Sequence, residues 1–150
     1  MTASACDRLS VIKPICKGWL NLHVNLLLIL GFCATAQAAP HLRCEVTYAG
    51  QTHVLKAQPV SDPYTVEAVD IGGRFFFKMV MIGSASQVDY IKLYAYLNQE
   101  PRPLIVQEVK YLPPFRKTAQ PYLLTGQQHV YADPIERELI YKCWLGGVQP

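Results

Sequence analysis

The sequence predicts an all-β fold: a small antiparallel β-sandwich of immunoglobulin-like architecture with about seven or eight strands, after a cleaved signal peptide. Three observations support this prediction. Beyond residue 40, apolar side chains recur with a period of two, which is typical of half-buried strands. Turn-forming residues separate these stretches at short intervals, as in sandwiches and barrels. The comparison with immunoglobulins concerns the layers alone, because their internal Cys-Trp-Cys spacing does not occur here.

The third observation is that residues 1–38 have the three-part pattern of a secretion signal. The segment begins with three basic side chains: Arg8, Lys13 and Lys17. An apolar stretch, 19–33, comes next. Ala36-Gln37-Ala38 then supplies the small-x-small pattern that signal peptidase recognises. We expect cleavage after Ala38 or after Ala39, which leaves residues 39–150 as a single β-sandwich domain.

Two other interpretations of this leader are weaker. An uncleaved membrane anchor needs about 20 predominantly apolar residues, whereas the apolar stretch is shorter and contains Asn21, His23 and Asn25. A lipoprotein signal needs a small residue before the modified cysteine, but Phe32 precedes Cys33. In each case the basic segment stays in the cytoplasm and the following domain lies outside it. The sequence therefore predicts an exported protein, periplasmic or extracellular, without a stable membrane span after signal cleavage.

The charge of the domain argues against a nucleic-acid partner. The whole chain has 14 basic and 11 acidic side chains, a formal net charge of +3. Three of the basic residues and one of the acidic ones belong to the leader, so the domain has 11 and 10, a net charge of +1. A nearly neutral domain lacks the basic surface that binds DNA or RNA.

Only two of the five cysteines lie in the exported domain. Cys6, Cys16 and Cys33 belong to the leader, which leaves Cys44 and Cys143. An even pair in an oxidising compartment predicts a disulfide. The alternative is a zinc site formed by His41, Cys44, His53 and Cys143. It is disfavoured because His41-x-x-Cys44 has no second close-spaced motif, and we therefore expect no metal and no cofactor.

The strands follow from alternation and from turn residues. In chain order, the expected strands are 42–48, 52–57, 64–71, 75–82, 88–97, 104–112, a weak strand at 122–124 or 128–131, and 137–145. Gly72-Gly73 predicts a tight two-residue hairpin turn, because glycine tolerates positive φ. The nearly continuous apolar run 75–82 predicts a central strand covered on both faces. Prolines make 113–121 irregular, and 134–136 is expected to form one helical turn.

No catalytic motif stands out in the domain. The serines are not surrounded by a Gly-x-Ser-x-Gly elbow, and the glycines explain turns better than a phosphate loop. A small extracytoplasmic enzyme with a site assembled from loops is the alternative function. Its expected contributors are His53, His129 and Asp133, whose side chains have to meet in one cleft.

One strand carries a candidate binding surface. Tyr90, Tyr94 and Tyr96, with Lys92 among them, alternate with an apolar face, and Phe115 and Arg116 follow in the proline-rich loop. Exposed tyrosines beside cations suit a protein or glycan partner, since they bury area at little entropy cost and offer a hydroxyl. The plainer interpretation is that these tyrosines make cross-strand pairs on a solvated face.

These patterns lead to a functional hypothesis. We expect a non-enzymatic, exported, disulfide-tied domain that acts by binding, as an accessory of the cell envelope with a protein or glycan partner. Besides the enzyme alternative, a structural subunit that assembles through strand pairing is a third interpretation, and it predicts concentration-dependent oligomers.

Overall fold

The computed structural model describes residues 39–118, 120–133 and 137–148, and these residues form an all-β domain. Its strands are β1 His41–Tyr48, β2 Gln51–Ala57, β3 Val69–Ile71, β4 Phe75–Gly83, β5 Val88–Leu97, β6 Leu104–Tyr111, β7 Tyr122–Leu123, β8 Gln128–Ala132 and β9 Arg137–Gly146. The all-β prediction is confirmed. Nine strands are described where seven or eight were expected, because both candidate strands between residues 122 and 131 form.

The strands make two antiparallel sheets. The five-stranded sheet has the order β2-β1-β9, with β7 and β8 both pairing with the far side of β9. The four-stranded sheet is a meander in the order β3-β4-β5-β6. This arrangement is compatible with the predicted sandwich. In the four-stranded sheet, each strand pairs with its neighbours in sequence. In the five-stranded sheet, β1 pairs with both β2 and β9, so the first and last strands are adjacent. Immunoglobulin domains instead use Greek-key connections.

One apolar core lies between the inner faces of the two sheets. Alternate residues of the long strands are buried there: Leu42, Cys44, Val46, Phe75, Phe77, Met81, Ile91, Leu93, Leu139, Tyr141, Cys143 and Leu145. Aromatic contacts join the sheets, since the Phe77 and Tyr141 ring centroids are 4.9 Å apart. The Tyr141 hydroxyl donates to Gln107 Oε1 at 2.7 Å, which satisfies the polar end of this buried side chain.

The predicted disulfide is confirmed, and it lies within one sheet. Cys44 on β1 and Cys143 on β9 are directly opposite each other in the register and are bonded. Both side chains are fully buried on the inner face. The bond therefore joins neighbouring strands from the two ends of the domain and does not bridge the two sheets. It also consumes both thiolates that the alternative zinc site required.

Turn chemistry explains two differences from the expected strands. The strand expected at 64–71 is wrong over most of its length, because Pro63–Thr65 forms a 3-10 turn and only Val69–Ile71 pairs as a strand. Asp62 caps that turn by accepting the backbone N–H of Tyr64 at 2.9 Å. The glycine hairpin forms, but its loop has three residues, since Ile71 pairs with Phe75.

The apolar strand β4 is only partly covered on its second face. Its inner face is buried, and on the outer face Val80 is 2% exposed. Phe76, Lys78 and Ile82, also on the outer face, are half-buried. The prediction of a strand covered on both faces is therefore wrong for much of the outer face. The helical turn expected at 134–136 lies outside the described residues.

Candidate binding surface

The outward side chains of β5 form the centre of a candidate binding surface. The inward residues of this strand are buried, whereas the outward ones are half-buried: Tyr90, Lys92, Tyr94 and Tyr96. The register places residues of β4 and β6 beside them on the same face: Phe76, Lys78, Val80, Glu108 and Lys110. We call these nine residues the tyrosine face. Four of the six residues predicted for binding are therefore brought together.

The aromatic part of the tyrosine face is locally ordered. The Tyr94 and Tyr96 rings stack with centroids 5.9 Å apart and an interplanar angle of 23°. Lys78 lies directly opposite Tyr94, and Phe76 opposite Tyr96. Phe76 and Tyr96 also line a shallow depression of about 240 Å³ together with Ala68 and Pro103. The face thus offers apolar area beside phenolic hydroxyl groups.

The tyrosine face has an excess of positive charge. Lys92 donates to Glu108 Oε1 at 2.6 Å, and this hydrogen bond raises the pKa of Lys92. The Lys92 ammonium also lies 5.6 Å from the Tyr94 ring centroid. Lys110 lies 4.8 Å from the ring centroid of Tyr90. With Lys78, the face has three ammonium groups and one carboxylate, and Asp70 of β3, opposite Phe76 in the register, places a second carboxylate at its edge. A small net positive charge therefore remains to attract anionic groups.

Phe115 and Arg116 lie in the proline-rich loop and contact other parts of the domain. Phe115 packs against the core and lines a depression of about 410 Å³ at one end of the domain. Arg116 places its guanidinium carbon 5.1 Å from the ring centroid of Tyr122, and its backbone N–H donates to the Tyr122 hydroxyl at 3.3 Å. The contacts found for this pair are thus with the core and with β7.

The three residues of the enzyme alternative do not meet in one cleft. His53 on β2 pairs with the inward Val46, whereas His129 on β8 pairs with the outward Ile140. Two strands, β1 and β9, separate them. At about 4.8 Å per strand, that separation is about 14 Å. Since the two histidines also lie on opposite faces of the sheet, they cannot act on one substrate atom together.

His129 instead belongs to a hydrogen-bonded cluster on the outer face of the five-stranded sheet. Its Nδ1 atom contacts Glu138 Oε1, and its Nε2 atom lies 3.0 Å from Gln127 Nε2. The Tyr131 hydroxyl donates to the same Glu138 oxygen at 2.7 Å. The bonds from Tyr131 and His129 lower the pKa of Glu138. These hydrogen bonds join β8 to β9.

Sequence reasoning missed five residues of the tyrosine face and one aromatic site on the opposite sheet. The five follow only from the register of β4 and β6 against β5: Phe76, Lys78, Val80, Glu108 and Lys110. On β9, the ring centroid of Trp144 lies 5.3 Å from both the Arg43 guanidinium carbon and the Lys142 ammonium. The alternation of β9 already placed Trp144 outward, opposite the buried cysteine face.

Comparisons with known proteins give no relative from which to transfer a function. No family model, no curated protein and no solved structure matches the chain. Over residues 39–118, 120–133 and 137–148, no three metal-ligating side chains of the His, Cys, Asp or Glu type are grouped to hold an ion. In the same part of the chain, no helix has the length and apolar character to cross a membrane.

Proposed function

We propose that this protein is exported and that residues 39–150 act without catalysis, as a binding domain of the cell envelope or extracellular space. The tyrosine face is its contact surface, and an acidic segment of another protein is its partner. The observation that carries the proposal is the outward row of Tyr90, Lys92, Tyr94 and Tyr96 on β5, a central strand whose inner face is anchored in the core.

Two features support the exported location. The leader has a basic segment, an apolar stretch and a small-x-small site in the required order. The buried bond between Cys44 and Cys143 belongs to an oxidising compartment, because cytoplasmic thiols are kept reduced. Secretion of the tagged full-length chain, followed by mass spectrometry of its mature N-terminus, tests this part. A mature chain that begins at Ala39 or Pro40 supports export, and an uncleaved cytoplasmic chain contradicts it.

The charge of the face favours an acidic partner. Glu108 neutralises one of the three lysines, and the other two outnumber the single carboxylate of Asp70 at the edge of the face. A partner that approaches with carboxylates satisfies these charges and is steered by them from a distance. Such steering weakens as salt shortens the Debye length from about 10 Å at 0.1 M to about 3 Å at 1 M.

The ring geometry favours a protein over a glycan. A sugar needs an open aromatic face on which to stack. Tyr94 and Tyr96 already cover one face of each other, and the Lys110 ammonium lies near the Tyr90 ring. Stacking and the ammonium group thus leave fewer open ring faces for a sugar, whereas the ring edges and hydroxyl groups suit the mixed apolar and polar contacts of a protein interface.

The test is affinity capture with a matched pair of double variants. Tyr94→Ala with Tyr96→Ala removes the stacked pair. Tyr64→Ala with Tyr131→Ala removes two tyrosines that are 91% and 63% exposed and lie off the face. We expect the first pair to weaken capture of a partner by at least about tenfold while circular dichroism shows the domain still folded, and the second pair to leave capture intact.

Three outcomes of this experiment contradict the proposal. Equal loss of capture in both double variants shows that the face is not specific. Unchanged capture in both removes the tyrosine face from consideration. Binding of neutral oligosaccharides, with no protein captured, replaces the acidic protein partner by a glycan. A further check is salt, since capture that does not weaken between 0.1 and 1 M contradicts the electrostatic part of the argument.

A further inference from the structure

β2 lies at one edge of the five-stranded sheet, and this edge is unprotected. β2 pairs with β1 over seven consecutive residues without a bulge. It contains neither proline nor glycine, and its single charged residue is Lys56. Natural proteins usually blunt a free edge with a bulge, a proline, several charges or a very short strand, because an open edge pairs with other strands.

The edges of the four-stranded sheet do show such protection. β3 has only three residues. β6 is longer, but its register against β5 shifts between Ala95 and Tyr96, where β6 carries an extra residue. The far side of β9 is shared by the two short strands β7 and β8. β2 is therefore the longest regular edge in the described part of the domain.

The backbone groups of β2 that point away from β1 can be assigned from its hairpin. Ala49 and Gly50 have φ of 50° and 80°, so they form a two-residue turn in which Tyr48 and Gln51 are the closing hydrogen-bonded pair. Hydrogen-bonded and non-bonded pairs alternate from there. The N–H and C=O groups of Thr52, Val54 and Lys56 consequently face the free edge. No backbone partner for them is found among residues 39–118, 120–133 and 137–148.

We propose that β2 pairs with β2 of a second copy of this chain, antiparallel and about a two-fold axis at Val54. In this register Val54 opposes its own copy and Thr52 opposes Lys56, and these are the residues whose backbone groups are free. His53 opposes Leu55 between them. No like charges meet, and Val54, which is 50% exposed in the single chain, gains an apolar neighbour.

The pairing makes the two five-stranded sheets continuous and leaves both tyrosine faces accessible. Opposed residues of an antiparallel pair project to the same side of the sheet. The two four-stranded sheets therefore cover the same side of the extended sheet, and their outer faces point in the same direction. If the tyrosine face binds as proposed above, the dimer engages a partner array with two sites at once; the strand pairing itself does not depend on that proposal.

Charge at the two-fold axis tests the pairing. Val54→Lys and Val54→Glu each place two like charges directly opposite each other, and both change an exposed side chain. We expect each variant alone to raise the dimer dissociation constant by at least about tenfold in analytical ultracentrifugation. In an equimolar mixture of the two variants, the introduced positive charge of one chain lies opposite the introduced negative charge of the other. We therefore expect the mixture to form the dimer again. Leu123→Lys, at a 49% exposed position on β7, is the matched control and leaves dimerisation unchanged.

The proposal is overturned if protein produced from the full-length sequence stays monomeric up to about 1 mM. It is also overturned if both charged variants dimerise as well as the unaltered chain, or if their mixture dimerises no better than either alone. Circular dichroism confirms that each variant is folded. Should a charged variant unfold, Val54→Pro removes one edge N–H at a position where an edge strand tolerates proline, and it has to weaken the dimer.

Discussion

The disulfide offers the sharpest test of how this domain is stabilised. Cys44 and Cys143 are 99 residues apart in sequence and directly opposite in space. Reduction leaves the register of β1 and β9 in place, because eight residue pairs hold these strands together. The folded state therefore changes little, and the main effect falls on the unfolded chain, which gains the freedom that the closed loop had removed.

The expected loss of stability follows from the length of the closed loop. On the chain-entropy model a loop of about 100 residues is worth about 4.7 kcal/mol, and measured values are usually lower because the unfolded chain retains some structure. We expect the reduced protein to lose about 3–4 kcal/mol of its free energy of unfolding. Against a typical total of about 5–15 kcal/mol for a domain, this is a large share.

Urea denaturation with and without reductant measures this loss. Besides the lower midpoint, we expect a larger m value for the reduced protein, because its unfolded chain is less compact and exposes more surface. Cys44→Ala with Cys143→Ala is the control, since it has no bond to reduce and its unfolding curve has to be the same with and without reductant. Equal free energies for oxidised and reduced protein would refute the reasoning, as would a smaller m value on reduction.

Two more predictions concern the β3–β4 turn and the β8–β9 cluster. We expect Gly73→Ala to lower the free energy of unfolding by about 1 kcal/mol, because its φ of +69° is strained for alanine while nothing lies within 4 Å of the added carbon. Gly72→Ala is expected to cost about 2–3 kcal/mol in the same denaturation assay, because the added carbon comes 2.8 Å from the buried ring of Tyr48. Equal losses for the two variants contradict this prediction. Since the Tyr131 hydroxyl lowers the pKa of Glu138, we expect Tyr131→Phe to raise that pKa in an NMR titration. A depressed carboxyl pKa contributes stability above its unfolded value that is lost as the pH falls, so this variant has to lose less stability on acidification, and an unchanged titration contradicts the prediction.

The sequence predicts strands well where one face is buried, because alternation is then strict. The expected 88–97 coincides with β5, whose inward residues are all buried. Prediction from the sequence fails where local turn chemistry competes with strand formation, as at Pro63, where Asp62 caps a 3-10 turn. Val66, just after this turn, has an extended backbone but belongs to no strand of the described residues, so a favourable local conformation does not by itself produce strand pairing.

The connectivity could not be predicted from the same information. A period of two determines which side chains share a face of a strand, but it does not specify which strand lies next to it. The bond between Cys44 and Cys143 implies that β1 and β9 are close, yet it fits a bond across two sheets as well as one within a sheet. Only the register, with these residues directly opposed, distinguishes the two arrangements.

The candidate site also contains a part that alternation along one strand predicts and a part that depends on strand pairing. Tyr90, Tyr94 and Tyr96 belong to one strand, so their common face follows from alternation alone. Their lysine neighbours on β4 and β6 depend on register, and they are the residues that make the face positive. The sequence thus indicates where an aromatic surface lies, whereas the positive charge of that surface emerges only when three strands are paired.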